Sequence, residues 1–406
     1  MYIIFFSAIF YFLNQYTKLI YQLFEYYSIF ILSFLCLFLI PVFYILLKQN
    51  EKIKAIFNNK KLSAKTKKVT FFGFLIVMYS MIYSAPLLFI PSNVLFTDLP
   101  SKPILIAHRG AAHLAPEDTI IAGQIAYEHG AAGWEIDVRI SKDGKLFLLH
   151  DPTLTRTTNI REVFPDRTSD NAESFKWSEL QKLDAGSWFA EKDPYGTIAR
   201  GLVNADNYKN VKIPSLGEAL NFSRKHNFYV DIDTKEPPEE HPYAKSYFEL
   251  VLDEILKSKI DLNKVMIITT NEAYINLIEQ KNMTDVILGW DMGQNPSIEA
   301  FKNSKYDYEL VATSDLFSNE EYREFYREKI PIIADIVDSP ERFVQLWCLG
   351  VKYVMTNEVH TFNEIKKPFW TLEFYFYLLY WFSIYSISSV MIIIIILKNN
   401  KRKDSE

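Results

Sequence analysis

Long apolar runs open and close the chain, and the part between them is patterned. Residues 26–47 contain no charge, residues 69–97 contain none, and 374–397 form a third uncharged run that holds five consecutive isoleucines. At 1.5 Å per helical residue each run can cross about 30 Å of hydrocarbon. A helix that is apolar all round belongs in a core or a bilayer. The pattern therefore predicts an N-terminal membrane region, 1–98, with transmembrane helices at about 26–47 and 70–92, and a C-terminal transmembrane helix at 369–397. Residues 2–17 are apolar until Lys18 interrupts them. Lacking a basic leader and a small-residue cleavage site, they read as a short first span within 2–24 or an in-plane helix, not as a signal peptide.

Between these runs the hydrophobic period switches back and forth between strand and helix. Residues 103–107 form a short apolar run ending in His108-Arg109-Gly110, which reads as a buried parallel strand opening into a loop. A helix is expected at 119–129, a strand at 134–140, a turn at Ser141-Lys-Asp-Gly144 and a strand at 145–150. An irregular stretch, 151–212, precedes a helix that starts near Pro214-Ser215. Strands at 228–233, 265–270, 286–290, 309–313, 330–337 and 352–356 then alternate with helices. This order predicts an α/β fold, a (β/α)8 TIM-type barrel over 99–368 with one surplus strand and an insertion at about 152–212. A doubly wound sheet is the alternative, although no Gly-rich phosphate loop follows the first strand.

Composition narrows the class. With 49% hydrophobic and 16% aromatic residues in 406, the chain is not disordered. Residues 1–98 carry nine Lys and three acids, whereas 99–368 carry 31 basic and 43 acidic residues, a net of −12 that argues against nucleic acid as a ligand. Cys36 and Cys348 are the only cysteines, too few for a disulfide framework or a zinc site. The loop 48–68 holds eight Lys against Glu51, and the tail 398–406 holds Lys398, Lys401, Arg402 and Lys403. Short basic segments stay in the cytosol, so an integral membrane protein with a lumenal or extracellular 99–368 portion is expected. Lys366 and Lys367 weigh slightly against this orientation. Glycosylation sequons at Asn221 and Asn282 fall in the exported portion.

Barrel chemistry sits at the C-terminal ends of strands. His108 and Arg109 end the first strand, and Glu135 and Asp137, two apart, leave the second on one face. His150 and Asp151 end the third, while Asp231, Asp233 and Lys235 repeat the spacing of two on the fourth. Paired carboxylates on an apolar strand are costly to bury without a cation. One hard divalent ion, Ca or Mg, is the natural counter-charge, with a salt-bridge network to Arg109, Arg139 and Lys235 as the alternative. A single strand-end histidine is usually structural, but two on adjacent staves beside a carboxylate pair point to chemistry. His113, His129, His226, His241 and His360 lack acidic company at a strand end and read as structural. Glu117 stands just ahead of a helix start, where the helix dipole or Arg109 accounts for it.

These residues and their neighbours carry a resemblance. His108-Arg-Gly110, Ala115-Pro-Glu-Asp-Thr119, Trp134-Glu-Ile-Asp-Val138, Ser141-Lys-Asp-Gly144, His150-Asp151 and Thr153-Leu-Thr-Arg-Thr-Thr158 resemble the glycerophosphodiester phosphodiesterase family. Asp184-Ala-Gly-Ser-Trp-Phe189, Ile213-Pro-Ser-Leu216 and 350–357 extend the likeness over about 102–360. Leu346-Trp-Cys-Leu-Gly350 and the helix after Pro368 are similar to its eukaryotic multi-span membrane branch. The resemblance implies a TIM barrel that hydrolyses a phosphodiester beside a free hydroxyl, giving an alcohol and glycerol 3-phosphate or an equivalent phosphomonoester. It implies His108 and His150 as the acid/base pair, Arg109 and Lys235 as phosphate contacts, and Glu135, Asp137 and Asp233 as ligands of one divalent cation. The partners implied are a glycerophosphodiester or lipid-derived substrate and membrane lipid. Three departures stand out: Asp118 replaces the family's Asn, Asp233 its Glu, and Asp335 an aromatic common on the penultimate strand. Lysophospholipase D or glycosylphosphatidylinositol-directed activity at the same site is an alternative, as is a catalytically inert membrane interaction protein. An inert relative would be expected to lose a costly polar residue, and His108, Arg109, Glu135, Asp137 and His150 are all present.

Overall fold

A computed structural model describes residues 28–34, 36–37, 80, 83–84, 86–88, 90–293, 296–312, 314 and 316–403. The expected span 2–24 and the basic loop 48–68 lie outside the described residues, as do most of 26–47 and 70–92. The chain divides into two compact units, Pro100–Pro368, and Met1–Leu99 together with Phe369–Glu406.

Within Pro100–Pro368 the strands are β1 Ile104–Ala107, β2 Gly133–Ile140, β3 Leu146–Leu148, β4 Tyr229–Thr234, β5 Val265–Ile268, β6 Ile287–Trp290, β7 Tyr308–Val311, β8 Ile332–Ala334 and β9 Tyr353–Thr356. All but β3 pair in parallel, in the order β1-β2-β4-β5-β6-β7-β8-β9, and β9 pairs back onto β1 to close an eight-stranded barrel. The surplus strand is β3, which runs antiparallel on β2 with Leu148 opposite Val138.

Alternation along these strands divides the side chains between two environments. Ile106, Met266, Tyr308, Leu310, Ile333, Tyr353 and Met355 fill the barrel interior. Gly289 makes room there for Tyr308, since a Cβ at that position would lie 2.3 Å from the phenol ring. The opposite faces meet the helices. Trp134, fully buried, donates from its indole nitrogen to Ser223 Oγ at 2.8 Å on helix Leu216–His226. That helix begins with a capping box, Ser215 accepting from Glu218 N while Glu218 accepts from Ser215 N, as the sequence signal there implies.

The insertion is more ordered than its sequence suggests. It holds short helices, among them Ile160–Val163, Trp177–Leu180 and Ser187–Lys192. The first two pack a satellite core of Leu154, Ile160, Phe175, Leu180 and Leu183 against Phe147 of β3, while Trp188 and Phe189 of the third pack with Ala115, Ala122 and Tyr208. None exceeds six residues, too short for a helical period to register.

In the other unit a 30-residue helix, Phe374–Lys403, contains an apolar stretch, Phe374–Ile394, of spanning length. Tyr377 donates to Pro86 O at 2.6 Å and Ser388 to Cys36 O at 2.9 Å, while Tyr375, Phe376, Phe382, Ile387 and Val390 stay exposed. The strand pair Val94–Leu95 and Leu372–Glu373 lies at the base of this helix.

Candidate active site

The end of β1 is a tight turn. His108 N donates to Thr356 O at 3.0 Å, and Gly110 N reaches back to Ala107 O at 3.1 Å. Arg109 and Gly110 both take positive φ, 51° and 79°. A Cβ on Gly110 would lie 2.6 Å from that of Ala122, so both backbone angle and space require glycine. The turn aims Arg109 N at Glu135 Oε2, 2.9 Å away. It also places the Arg109 guanidinium between Glu117 Oε1, at 3.0 Å, and Asp137 Oδ2, at 3.1 Å.

His108 is held by a residue that the sequence reading did not single out. Asn357, just beyond β9, gives its amide N–H to Asp338 Oδ2 at 2.8 Å, and its backbone N–H to Asp338 Oδ1 at 2.8 Å. Its amide oxygen is thereby turned to His108 Nδ1, 3.0 Å away. This network assigns the proton to Nδ1 and leaves a lone pair on Nε2, which lies 4.0 Å from Glu135 Oε2. Burial, followed by the charge of Arg109, holds His108 below the ordinary histidine range, which favours the neutral base.

His150 reaches the same mouth by another route. Its position after the run 145–149 predicts the end of a barrel stave, but the strand before it is antiparallel. β2 runs eight residues where most staves have four or fewer, and β3 doubles back along it. Arg139 secures this return through Glu173 at 2.5 Å and the carbonyls of Leu149 and His150 at 3.1 and 2.7 Å. It therefore takes no part in a salt-bridge network with Glu135 and Asp137. His150 Nδ1 lies 2.9 Å from Asp151 Oδ1. Arg156 clamps Asp151 at 2.7 and 2.8 Å and Glu117 at 2.6 and 2.7 Å. Hydrogen bonds from Arg156 come first among the causes that hold Asp151 well below the usual carboxylate range. Burial opposes ionisation of Glu117, yet Arg156 and Arg109 keep it below its ordinary value. Glu117 thus bridges the arginines rather than serving only the helix start.

Carboxylate oxygens of Glu135, Asp137 and Asp233 lie within 4.8 Å of one another. Lys235 reaches Asp137 Oδ1 at 2.9 Å and Asp233 Oδ2 at 2.6 Å. Burial, then Asp137, Asp118 and Asp233, push Glu135 well above the carboxylate range. Three hard oxygen donors, of which Glu135 has only the neutral His108 ring beside it, at 4.0 Å, fit a divalent cation. Asp231 sits deeper in the barrel, outside this trio, and neither of its carboxylate oxygens has a hydrogen-bond partner among the described residues. Asp118, at φ 55°, accepts from Asp137 N at 3.1 Å, and burial followed by Asp137 and Glu117 pushes it well above the carboxylate range. His113 and His360 end no strand, but each has an acidic neighbour in space: Glu358 lies 2.7 Å from His113 Nδ1 and 3.5 Å from His360 Nε2. Tyr195, from the insertion, stacks on His113 with centroids 4.2 Å apart.

A sequence model of the glycerophosphoryl diester phosphodiesterase family matches residues 108–361. The chain is 35% identical to a glycerophosphoinositol inositolphosphodiesterase of Mus musculus over 315 residues, which is 77% of this chain and 56% of that protein. It is 32% identical to glycerophosphodiester phosphodiesterase domain-containing protein 5 of Homo sapiens over 300 residues, 73% of this chain and 48% of that protein. The chain thus spans about half the length of these curated relatives. In fold it is similar to an Oleispira antarctica phosphodiesterase solved with sn-glycerol-3-phosphate, with a TM-score of 0.51, 20% identity, and coverage of 64% of this chain and 95% of that one.

Proposed function

The chain belongs to the glycerophosphoryl diester phosphodiesterase family, and we propose that it is a membrane-anchored, metal-dependent enzyme cleaving glycerophosphodiesters to an alcohol and glycerol 3-phosphate or an equivalent phosphomonoester. The observation that carries this reading is the meeting of His108 and Arg109 with the Glu135, Asp137 and Asp233 carboxylates at one barrel mouth. The activities named for the mouse and human relatives agree with it.

A phosphodiester anion repels nucleophiles, so the site must place positive charge on its non-bridging oxygens. A calcium or magnesium ion on Glu135, Asp137 and Asp233 would supply Lewis-acid charge there. Arg109 and Lys235, both fixed by Asp137, add positive charge without needing to reorganise. His108, buried and kept neutral, offers Nε2 as the base for the attacking hydroxyl. His150 is the more exposed of the two, and the Asp151 carboxylate at its Nδ1 orients the ring so that Nε2 can deliver a proton to the departing oxygen. Each transfer contributes roughly 10²–10⁴-fold. The attacking hydroxyl is either water or a neighbouring hydroxyl of the substrate, the latter passing through a cyclic phosphate.

Membrane anchoring is supported by the exposed apolar face of Phe374–Lys403. The test is to incubate the full chain in detergent with glycerophosphoinositol or glycerophosphocholine, with and without chelator. Release of a phosphomonoester that stops in excess chelator and returns with calcium or magnesium is expected. Undiminished turnover in chelator would remove the metal, and no turnover of any diester at any divalent ion would remove the activity.

A further inference from the structure

Among the groups of the barrel mouth that the chemistry above leaves unused is Asp335. It directly follows β8 and continues that strand, its N–H donating to Val311 O at 3.0 Å. Ile333, two residues earlier, belongs to the barrel interior, so Asp335 projects inward one layer nearer the mouth. The charged groups it faces there are Arg109, Asp233, Asp338 and Asp137. It is nevertheless not one of the three carboxylates that converge as cation ligands.

Two further observations define what Asp335 can do. Its Oδ1 is buried and accepts no hydrogen bond among the described residues. A buried acceptor on a pocket wall that lacks a partner is stabilised by whatever ligand brings a donor. The inward positions on either side cannot supply one. Ala312, after β7, has no polar side chain, and the Asn357 amide is committed to His108 and Asp338.

The chemistry of the wall selects among ligands. A quaternary ammonium group is recognised mainly on aromatic ring faces. Trp290, at the end of β6, points outward and stacks on Tyr306 at 4.9 Å, and Tyr195 spends a ring face on His113. At the layer nearest the mouth, and among the described residues, β7 and β8 present the Asp335 carboxyl beside the Ala312 methyl, which suits an O–H donor.

We propose that Asp335 accepts a hydrogen bond from an alkyl hydroxyl of the substrate and so selects phosphodiesters carrying a polyhydroxylated group, either glycerol or a cyclic polyol. The assignment rests on the phosphodiesterase reading above and deepens it.

The test measures kcat/KM of the full chain in detergent at saturating calcium or magnesium on three diesters. These are glycerophosphoinositol, glycerophosphocholine and the hydroxyl-free bis(4-nitrophenyl) phosphate. Asp335→Ala should lower the ratio of glycerophosphoinositol to bis(4-nitrophenyl) phosphate turnover by about 10–100-fold, the range for a buried donor left without its partner. Asp335→Asn, whose carbonyl still accepts, should recover part of it and serves if the Ala variant does not fold. A fall confined to glycerophosphoinositol assigns the contact to the polyol head group, and an equal fall on both glycerophosphodiesters assigns it to glycerol. An unchanged ratio overturns the proposal, as does a loss restored by more divalent ion, which would make Asp335 a cation ligand. If the wild type cleaves only bis(4-nitrophenyl) phosphate the selection is wrong, whereas cleavage of none of the three removes the phosphodiesterase reading itself.

Discussion

At the scale of single residues, His108 depends on a partner 249 positions away. Asn357 can present its oxygen to Nδ1 only because Asp338 takes both of its N–H groups. Asn357→Ala should therefore lower kcat by about 10–100-fold with little change in KM, because the base loses its fixed tautomer rather than the substrate a contact. In a double-mutant cycle His108→Ala should cost about 10²–10⁴-fold, and adding Asn357→Ala should cost almost nothing more. Additive losses would place Asn357 in a separate role. A second prediction concerns Glu358, pulled down to about 2 by the hydrogen bond from His113 while burial opposes it. A depressed carboxyl stabilises the fold fully above the unfolded value of about 4.3, and that contribution fades as pH falls toward the folded value. The Tm difference between wild type and Glu358→Gln should thus shrink as pH falls from about 5 toward 2. A difference that does not shrink over that range would show that the depressed carboxyl adds nothing to stability. His108, Arg109, Glu135, Asp137 and Asp233 were legible in the sequence because a polar residue ending an apolar strand is a local signal. Asn357 gives the same signal. Asp338 and Arg156 do not, since their importance lies in partners 19 and 39 positions away.

At the scale of elements, the active mouth depends on one stave that is too long. β2 overshoots the barrel, β3 folds back along it, and His150 follows this return, two residues after Leu148. The surplus strand was readable from two apolar runs joined by Ser141-Lys-Asp-Gly144, with no room for a helix between them. Its direction relative to the staves follows from the tight turn, which joins antiparallel strands, and this is why His150 is better described as following a hairpin than as ending a stave. Arg139 and Glu173 lock the hairpin to the insertion, with side chains 9% and 3% exposed. Breaking a buried pair leaves an unpaired charge and costs about 3–5 kcal/mol. Glu173→Ala should lower the unfolding free energy by that order and also reduce kcat, since the same arginine holds the His150 carbonyl. Replacing both partners, Arg139→Met with Glu173→Leu, should restore much of the stability. Restored stability without restored kcat would place the role of the arginine in positioning His150, whereas parallel recovery of both would make it purely structural. The insertion helices themselves were not legible, because elements of four to six residues leave no period to read.

At the scale of the whole molecule, hydropathy and charge make separate statements. The third apolar run became a 30-residue helix, about 45 Å long at 1.5 Å per residue, with a 21-residue apolar stretch sufficient for a bilayer. Its exposed side chains include Tyr375, Phe376 and Phe382 near the N-terminal end, where aromatic residues favour the membrane interface. Length does not set direction, however. Direction follows from the basic residues, Lys398, Lys401, Arg402 and Lys403 after the helix and eight Lys in 48–68, against Lys366 and Lys367 before it. A four-to-two excess on the far flank is a modest bias by itself, but the larger basic loop reinforces it if an even number of crossings separates the two patches. The expected outcome is that epitope tags in 48–68 and after Glu406 are reached only from the cytosolic side, and a tag at Asn282, which is exposed, only from the opposite side. A tag at Asn282 on the same side as the tail would mean that Phe374–Lys403 does not cross, and the basic tail would then be a surface anchor. Glycosylation of Asn282 in a secretory host offers an independent readout, since transfer occurs only in the lumen. An unglycosylated chain whose Asn282 tag is cytosolic would overturn the orientation while leaving the barrel chemistry untouched.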